Sequence, residues 1–156
     1  MLPTGRPDLE RTRLRRRVWL LLTGAAAILA ACGRPDDPQT TLEAAVQRLQ
    51  DALEAKDTDA VLDLLDAKFR AQDELDREWA RKTMALMFLR YANVKVIAVT
   101  HSSRVDPASG RIGRTEAQVL VTGAQGLIPE RASPYALRLE WWREGADWRL
   151  RDLRWE

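Results

Sequence analysis

Histidine and cysteine are almost absent from this 156-residue sequence, which holds one of each, His101 and Cys32. One cysteine forms no intramolecular disulfide, and the pair falls short of the ligand set of a zinc site. The glycines at 110–113 lack the strand–loop–helix context of a phosphate loop. Acidic residues cluster at 73–78, where they suit the start of a solvated helix better than a metal site. We therefore predict no metal and no other cofactor.

An excess of basic charge is confined to the first 31 residues. The whole chain has a formal net charge of +2. Residues 32–156, however, contain 19 of the 25 basic and 21 of the 23 acidic side chains, a net charge of −2. This part lacks the basic excess that favours binding to a polyanion, so we predict no nucleic-acid partner.

The N-terminal region has the order of features that is typical of a secretory signal. A basic segment ends in Arg15–Arg17, and an apolar run continues to Ala31. That run is shorter than the ~18–20 residues that cross a bilayer as a helix. The tetrapeptide Leu29-Ala30-Ala31-Cys32 resembles a lipobox, the signature of bacterial lipoproteins. The resemblance implies cleavage before Cys32, acylation of its thiol and a membrane-anchored place in the cell envelope. Gly33 follows the cysteine at the position where an aspartate is the familiar signal for retention at the inner membrane. In this respect the sequence resembles lipoproteins that are sent on to the periplasmic face of the outer membrane.

The rest of the chain reads as helices followed by strands. We predict a signal peptide over residues 1–31, the lipidated cysteine with a flexible tether over 32–39, and one domain over 40–156. Helical spacing predicts helices over 40–56, 57–69 and 75–91, the first beginning with a capping box formed by Thr40 and Glu43. The third helix has one apolar side with Leu75, Trp79, Leu86 and Leu89 or Arg90, and its apolar surface is broadened by Met84, Met87 and Phe88. A period of two then predicts strands over 94–100, 114–122, 135–142 and 148–155, with a bulge at 151–152. Turns are predicted at 106–110 and 144–147, and a loop over 123–134. This is an α+β arrangement, with N-terminal helices packed on a curved antiparallel sheet of about four strands.

The order of these elements resembles the nuclear transport factor 2-like superfamily. The likeness is carried by the segment DTDAVLDLL at residues 57–65 and the closing strand WRLRDLRW at residues 148–155, and it extends over nearly all of residues 40–156. It implies a cone-shaped domain of the SnoaL-like or cystatin-like kind, with a pocket between sheet and helices. Because this fold supports enzymes, binding proteins and assembly domains alike, it implies no single activity.

Enzymes of this superfamily include isomerases and dehydratases that place a tyrosine, aspartate or histidine inside the cone. Under that resemblance, His101, Tyr91 and Tyr135 are the catalytic candidates. The alternative is a solvated histidine and two tyrosines packed at the edge of the core. Asp152 is the nearest carboxylate, and its place at the bulge predicts that it points outward.

Tryptophan is concentrated in the last two predicted strands, where four candidates for a binding surface lie: Trp141, Trp142, Trp148 and Trp155. Adjacent strand residues point to opposite faces, so either Trp141 or Trp142 lies outside the main core. That side chain is a partly exposed edge aromatic, a pocket wall or a partner-binding patch. The favoured interpretation is a non-catalytic domain, anchored through Cys32, that binds a small apolar ligand or an envelope protein and that could form a homodimer. The alternative is an isomerase or dehydratase.

Overall fold

A computed structural model of the chain describes residues 37–124 and 133–156. The elements in these ranges are helix α1 (Pro38–Glu54), helix α2 (Thr58–Leu64), strand β1 (Leu65–Ala71), helix α3 (Arg77–Arg90) and strands β2 (Asn93–Val105), β3 (Ile112–Ala124), β4 (Ser133–Glu144) and β5 (Asp147–Trp155). The predicted signal peptide, Cys32 and most of the tether lie outside the described residues, as does the centre of the predicted loop over 123–134. Every described helix falls short of the length and apolarity of a membrane span.

An aspartate stands at the start of each helix. Asp37, Asp57 and Asp76 each accept a hydrogen bond from the backbone N–H three residues later, at 2.9–3.1 Å. Such a bond pairs one of the N–H groups that the first turn of a helix leaves free. The predicted capping box was wrong, because Asp37 binds both the N–H and the hydroxyl of Thr40. Helix α1 therefore begins two residues earlier, with Pro38 in its first turn, where a missing N–H is harmless.

The sheet has five strands rather than about four, in the order β1-β5-β4-β3-β2. The additional strand, β1, occupies residues that helical spacing assigned to the second helix, which ends at Leu64 instead of near Phe69. Strand β1 runs parallel to β5, so the sheet is mixed and not purely antiparallel. Leu65, Phe69 and Ala71 are buried, and their spacing suits either element. Pairing with β5 decides the outcome, because tertiary contacts override local propensity.

The helices pack on one face of the sheet, which we call the inner face; the opposite face is the outer face. The largest fully buried side chains of the core are Leu42, Phe69, Trp141, Trp148 and Leu150. The indole Nε1 of Trp148 donates to the hydroxyl of Thr41 at 3.0 Å, so the polar end of this buried ring is paired. Helix α3 joins the core through an aromatic stack in which the rings of Trp79 and Trp155 lie 6.0 Å apart.

Helix α1 lies along the free edge of β2. Near its start, the Gln39 amide donates to the carbonyl of Ser103 at 2.8 Å and accepts from the N–H two residues further along β2 at 3.2 Å. Near its end, Gln50 donates to the carbonyl of Val96 at 2.9 Å, and Glu54 accepts from the N–H of Val96 at 3.0 Å. Edge strands expose unpaired backbone groups that can pair with other chains. These three side chains therefore substitute for a neighbouring strand at both ends of the edge.

Helix α3 buries only part of its predicted apolar surface. Leu75, Trp79 and Phe88 pack against the core as partly buried side chains, which agrees with the apolar spacing. In the structure Ala80 and Met84 are buried, whereas Leu86 and Leu89 are 62% and 87% exposed. The helix packs mainly against α2 and β1, and these elements cover the side that contains Ala80 and Met84. A helix that is rich in apolar residues has apolar side chains on more than one side, and the elements that pack against it determine which side is buried.

Candidate functional site

The adjacent tryptophans of β4 point to opposite faces of the sheet, as the alternation predicted. Trp141 is fully buried on the inner face, and Trp142 is 40% exposed on the outer face. The pairing of β4 with β5 shifts by one residue at this point, which confirms the predicted bulge and leaves Arg151 as the extra residue. Asp152 pairs with Glu140 and so lies on the outer face, as expected. Trp148 is buried and Trp155 is half-buried, so Trp142 is the tryptophan of these strands with the most accessible ring.

Charged side chains hold Trp142 in place. Its indole Nε1 donates to Glu140 Oε1 at 2.9 Å, and the Arg151 guanidinium lies 4.7 Å from its ring centroid, within cation–π distance. Arg151 in turn donates to Asp66 Oδ1 at 3.0 Å, and Asp66 is only 4% exposed. Asp66 also accepts from the N–H of Lys68 at 2.7 Å. We call Asp66, Glu140, Trp142 and Arg151 the outer tryptophan cluster. Its bonds fix the orientation of Trp142 and leave one part of the ring accessible.

The same outer face contains a shallow depression of about 310 Å³ nearer to β2. Its lining is polar and apolar in similar measure. The polar residues are Thr100, His101, Ser102, Glu116, Gln118 and Arg138, and the apolar ones are Ala117, Ala136 and Leu137. Glu116 and Arg138 stand directly opposite each other on β3 and β4. Arg138 also precedes Glu140 and Trp142 on the same side of β4. The depression and the outer tryptophan cluster therefore belong to one face, which combines an aromatic ring with charges of both signs.

A larger cleft, of about 590 Å³, lies between α1, α2 and the start of β5. Ala52, Leu64 and Trp148 are its buried apolar lining. The charged side chains of its lining are Arg48, Asp51, Asp57, Asp63, Asp147 and Arg149. Arg149 donates to the carbonyl of Asp63 and lies 3.8 Å from the carboxylate of Asp147. Because its lining combines apolar side chains with charges of both signs, this cleft suits a small amphipathic molecule. No cluster of metal ligands occurs among residues 37–124 and 133–156.

The three catalytic candidates occupy different settings. His101 is exposed and lies within β2, opposite Ala117, because this strand extends beyond its predicted end at residue 100. It is also one of the residues that line the depression of about 310 Å³. Tyr91 packs its ring on Gly123, where a Cβ atom would lie 2.5 Å from Tyr91 Cδ1. Tyr135 is partly exposed on β4. Tyr91 therefore has a packing role that explains its presence, and catalysis by any of the three stays a prediction.

Carboxylates with shifted pKa values stabilise turns and helix ends. A hydrogen bond from Lys95 Nζ at 2.7 Å lowers the pKa of Glu54. The hydroxyl of Ser109 lowers the pKa of Asp106 in the turn between β2 and β3, and an N–H in the first turn of α3 lowers that of Asp76. Shifted groups mark functional sites when they line clefts. These three line neither of the two clefts, so their shifts report local structure.

Comparison with known proteins establishes the fold. No family model matches the chain, and no curated protein matches it. Among solved structures, the chain is similar to Bd1075 of Bdellovibrio bacteriovorus, at 11% identity over 75% of this chain and 40% of that chain, with a TM-score of 0.65. This chain thus spans less than half the length of Bd1075.

Two further structures are similar over nearly their whole length. One is a candidate dehydratase of the NTF2-like family from Streptomyces avermitilis, at 13% identity over 78% of this chain and 96% of that chain, with a TM-score of 0.63. The other is a candidate ketosteroid isomerase from Shewanella frigidimarina, at 16% identity over 79% of this chain and 98% of that chain, with a TM-score of 0.58. At these identities the likeness confirms an α+β fold of the NTF2-like kind and carries no activity over to this chain.

Proposed function

We propose that this chain is a lipoprotein of the bacterial cell envelope whose NTF2-like domain docks a second envelope protein without catalysing a reaction. The anchoring is supported by the tetrapeptide at residues 29–32, which follows a basic segment and a short apolar run. Acyl chains on Cys32 would hold the domain at the membrane, since two chains bind a bilayer stably and one is marginal. Gly33 supports an outer-membrane location, with the domain on the periplasmic side.

The docking role is carried by one observation, the exposed and immobilised ring of Trp142. Tryptophan and arginine are enriched among the residues that dominate protein–protein binding. A side chain that is already fixed loses little rotational freedom when a partner covers it. Glu140 and Arg151 fix this ring before any partner arrives, and the depression beside Arg138 extends the surface toward β2.

An isomerase or dehydratase is the second candidate, because two of the similar structures are candidate enzymes of these kinds. In this alternative, His101, Tyr91 or Tyr135 supplies the acid or base, and an apolar ligand occupies the domain. The exposure of His101 counts against it, since general acid–base catalysis benefits from a site that excludes water.

Anchoring is tested by replacing the acylated residue. Wild-type protein should incorporate labelled fatty acid and lose its first 31 residues, whereas Cys32→Ser should do neither, because a hydroxyl does not replace the thiol in lipid transfer. Gly33→Ala is the matched control and should be processed normally. If wild type and Cys32→Ser have the same size and neither contains labelled fatty acid, the chain is not a lipoprotein.

Docking is tested by photo-crosslinking from the outer face in intact cells. A crosslinking residue at exposed Arg114, which lies 3.7 Å from Glu140, should give one discrete adduct. Trp142→Ala should abolish this adduct, and Trp142→Phe should retain most of it because a ring remains over Arg151. The control crosslinker replaces exposed Ala44 on α1. The docking role is refuted if Trp142→Ala leaves the adduct unchanged, or if both positions give the same adducts.

A further inference from the structure

The second half of α3 presents an apolar surface that neither the core nor a described cleft explains. Leu86 and Leu89 are 62% and 87% exposed, and Ala85 is exposed beside them. Residues three and four positions apart share a side of a helix, so Ala85 and Leu89 lie in one row with Leu86 next to it. We call these three residues the leucine face of α3.

Basic side chains border the leucine face. Exposed Arg81 and Lys82 lie one turn before it, and exposed Arg90 follows it. Glu78 is the single acid of the helix, so α3 carries a net charge of +3 in a mature chain whose net charge is −2. Glu78 lies 3.7 Å from Arg81 and 3.6 Å from Lys82, and Arg90 is far from it. An apolar helical face bordered by lysine and arginine is typical of helices that lie on a bilayer containing anionic lipids.

The chain before α1 is long enough to bring this face to a membrane. Helix α1 has 17 residues and is therefore about 25 Å long. At its far end, Lys56 Nζ donates to the carbonyls of Phe88 and Tyr91 at 3.2 Å, so the end of α3 lies beside the end of α1. The segment from Cys32 to Pro38 spans at most ~21 Å when extended. The start of the tether and the end of α3 are therefore close enough for one membrane surface to reach both.

We propose that the leucine face of α3 rests on an anionic phospholipid surface and orients the anchored domain. This inference rests on the proposed acylation of Cys32. Helix α3 belongs to the inner side of the sheet, because Trp79 stacks on Trp155 there. Trp142 lies on the outer face and stays accessible to a partner protein in this orientation.

Position-specific quenching tests the orientation with the full mature lipoprotein in vesicles of phosphatidylethanolamine and phosphatidylglycerol. The sequence has no cysteine besides Cys32, so Leu89→Cys supplies one free thiol for a polarity-sensitive fluorophore. Glu116→Cys on the outer face is the control. Spin-labelled lipids should quench the label at position 89 several-fold more than the label at position 116. Equal quenching at the two positions overturns the proposal.

Two further measurements separate the alternatives. Mass spectrometry of the same preparation reports acylation: an acylated protein that is unquenched at position 89 refutes the orientation alone, whereas an unacylated protein refutes the anchoring. Self-quenching between labels at position 89, without quenching by spin-labelled lipid, would assign the leucine face to a second copy of this chain and overturn the proposal. In vesicles of phosphatidylcholine alone, quenching at position 89 should fall, because the basic border loses its anionic partner.

Discussion

The ion pair between Asp66 and Arg151 determines how firmly Trp142 is held, and its strength can be measured. Asp66 is 4% exposed and the Arg151 side chain is 27% exposed, with 3.0 Å between the paired atoms. A hydrogen bond between charged groups contributes about 1.5–3 kcal/mol, and loss of one partner of a buried pair costs about 3–5 kcal/mol. Because Arg151 keeps some contact with water, we expect Asp66→Ala to lower the free energy of unfolding by about 2–4 kcal/mol.

A double-mutant cycle isolates the pair from the other contacts of Asp66, such as its bond to the N–H of Lys68. Asp66→Ala, Arg151→Ala and the double variant, unfolded in urea, should give a coupling energy of about 2 kcal/mol. The control is the pair of Arg138 and Glu156, which are 3.9 Å apart and 68% and 78% exposed. Its coupling should stay below about 1 kcal/mol. If the two cycles give equal coupling, solvent screens the Asp66 pair as well, and Arg151 does not fix Trp142.

Three further predictions concern single residues. Gly113→Ala places a Cβ 2.7 Å from Leu42 Cδ2 and should lower the free energy of unfolding by about 1–3 kcal/mol. The Tm should fall accordingly, and an unchanged Tm would show that the Leu42 side chain moves aside without cost. The bond from Lys95 lowers the pKa of Glu54 below its ordinary 4.5, so the carboxylate stabilises the fold above pH 4.5 and stops doing so as the pH falls through the lower folded-state pKa. Glu54→Gln should therefore be destabilising at neutral pH and neutral in strong acid, as pH-dependent urea unfolding can check. Lys56 has a φ of +58°, so Lys56→Ala should destabilise more than Lys56→Gly, by up to about 1 kcal/mol; equal losses in denaturant titrations would contradict this.

The elements that the sequence predicted well are the ones with local signals. Alternation along residues 135–142 placed Trp141 and Trp142 on opposite faces, and the change of phase after Leu150 located the bulge. The turns at Gly110 and Gly145 have φ of +63° and +62°, a backbone conformation that glycine adopts without strain. In each case the deciding atoms lie within a few residues along the chain.

Strand β1 could not be predicted in the same way. Its apolar residues fit a continuation of the second helix, and the partner that makes the segment a strand, β5, lies some eighty residues later. Parallel strands are not joined by a hairpin turn, so the sequence contains no turn signal that would indicate this pairing. The depression on the outer face was missed for a similar reason, since Glu116 and Arg138 meet only through the register of β3 and β4.

The exposed part of the predicted apolar surface of α3 bears most directly on function. Burial of a leucine side chain contributes roughly 1.5–3 kcal/mol, and the spacing of Leu86 and Leu89 would have allowed the helix to gain it. The fold buries Ala80 and Met84 but leaves Leu86 and Leu89 exposed, so this part of the apolar surface is free to contact a partner. Trp142 is a second exposed apolar side chain, on the outer face, because burial of Trp141 on the inner face places its neighbour in solvent. Because these surfaces lie on opposite sides of the sheet, one partner of ordinary size does not cover both. The proposed bilayer on one side and the proposed partner protein on the other would together account for the pair.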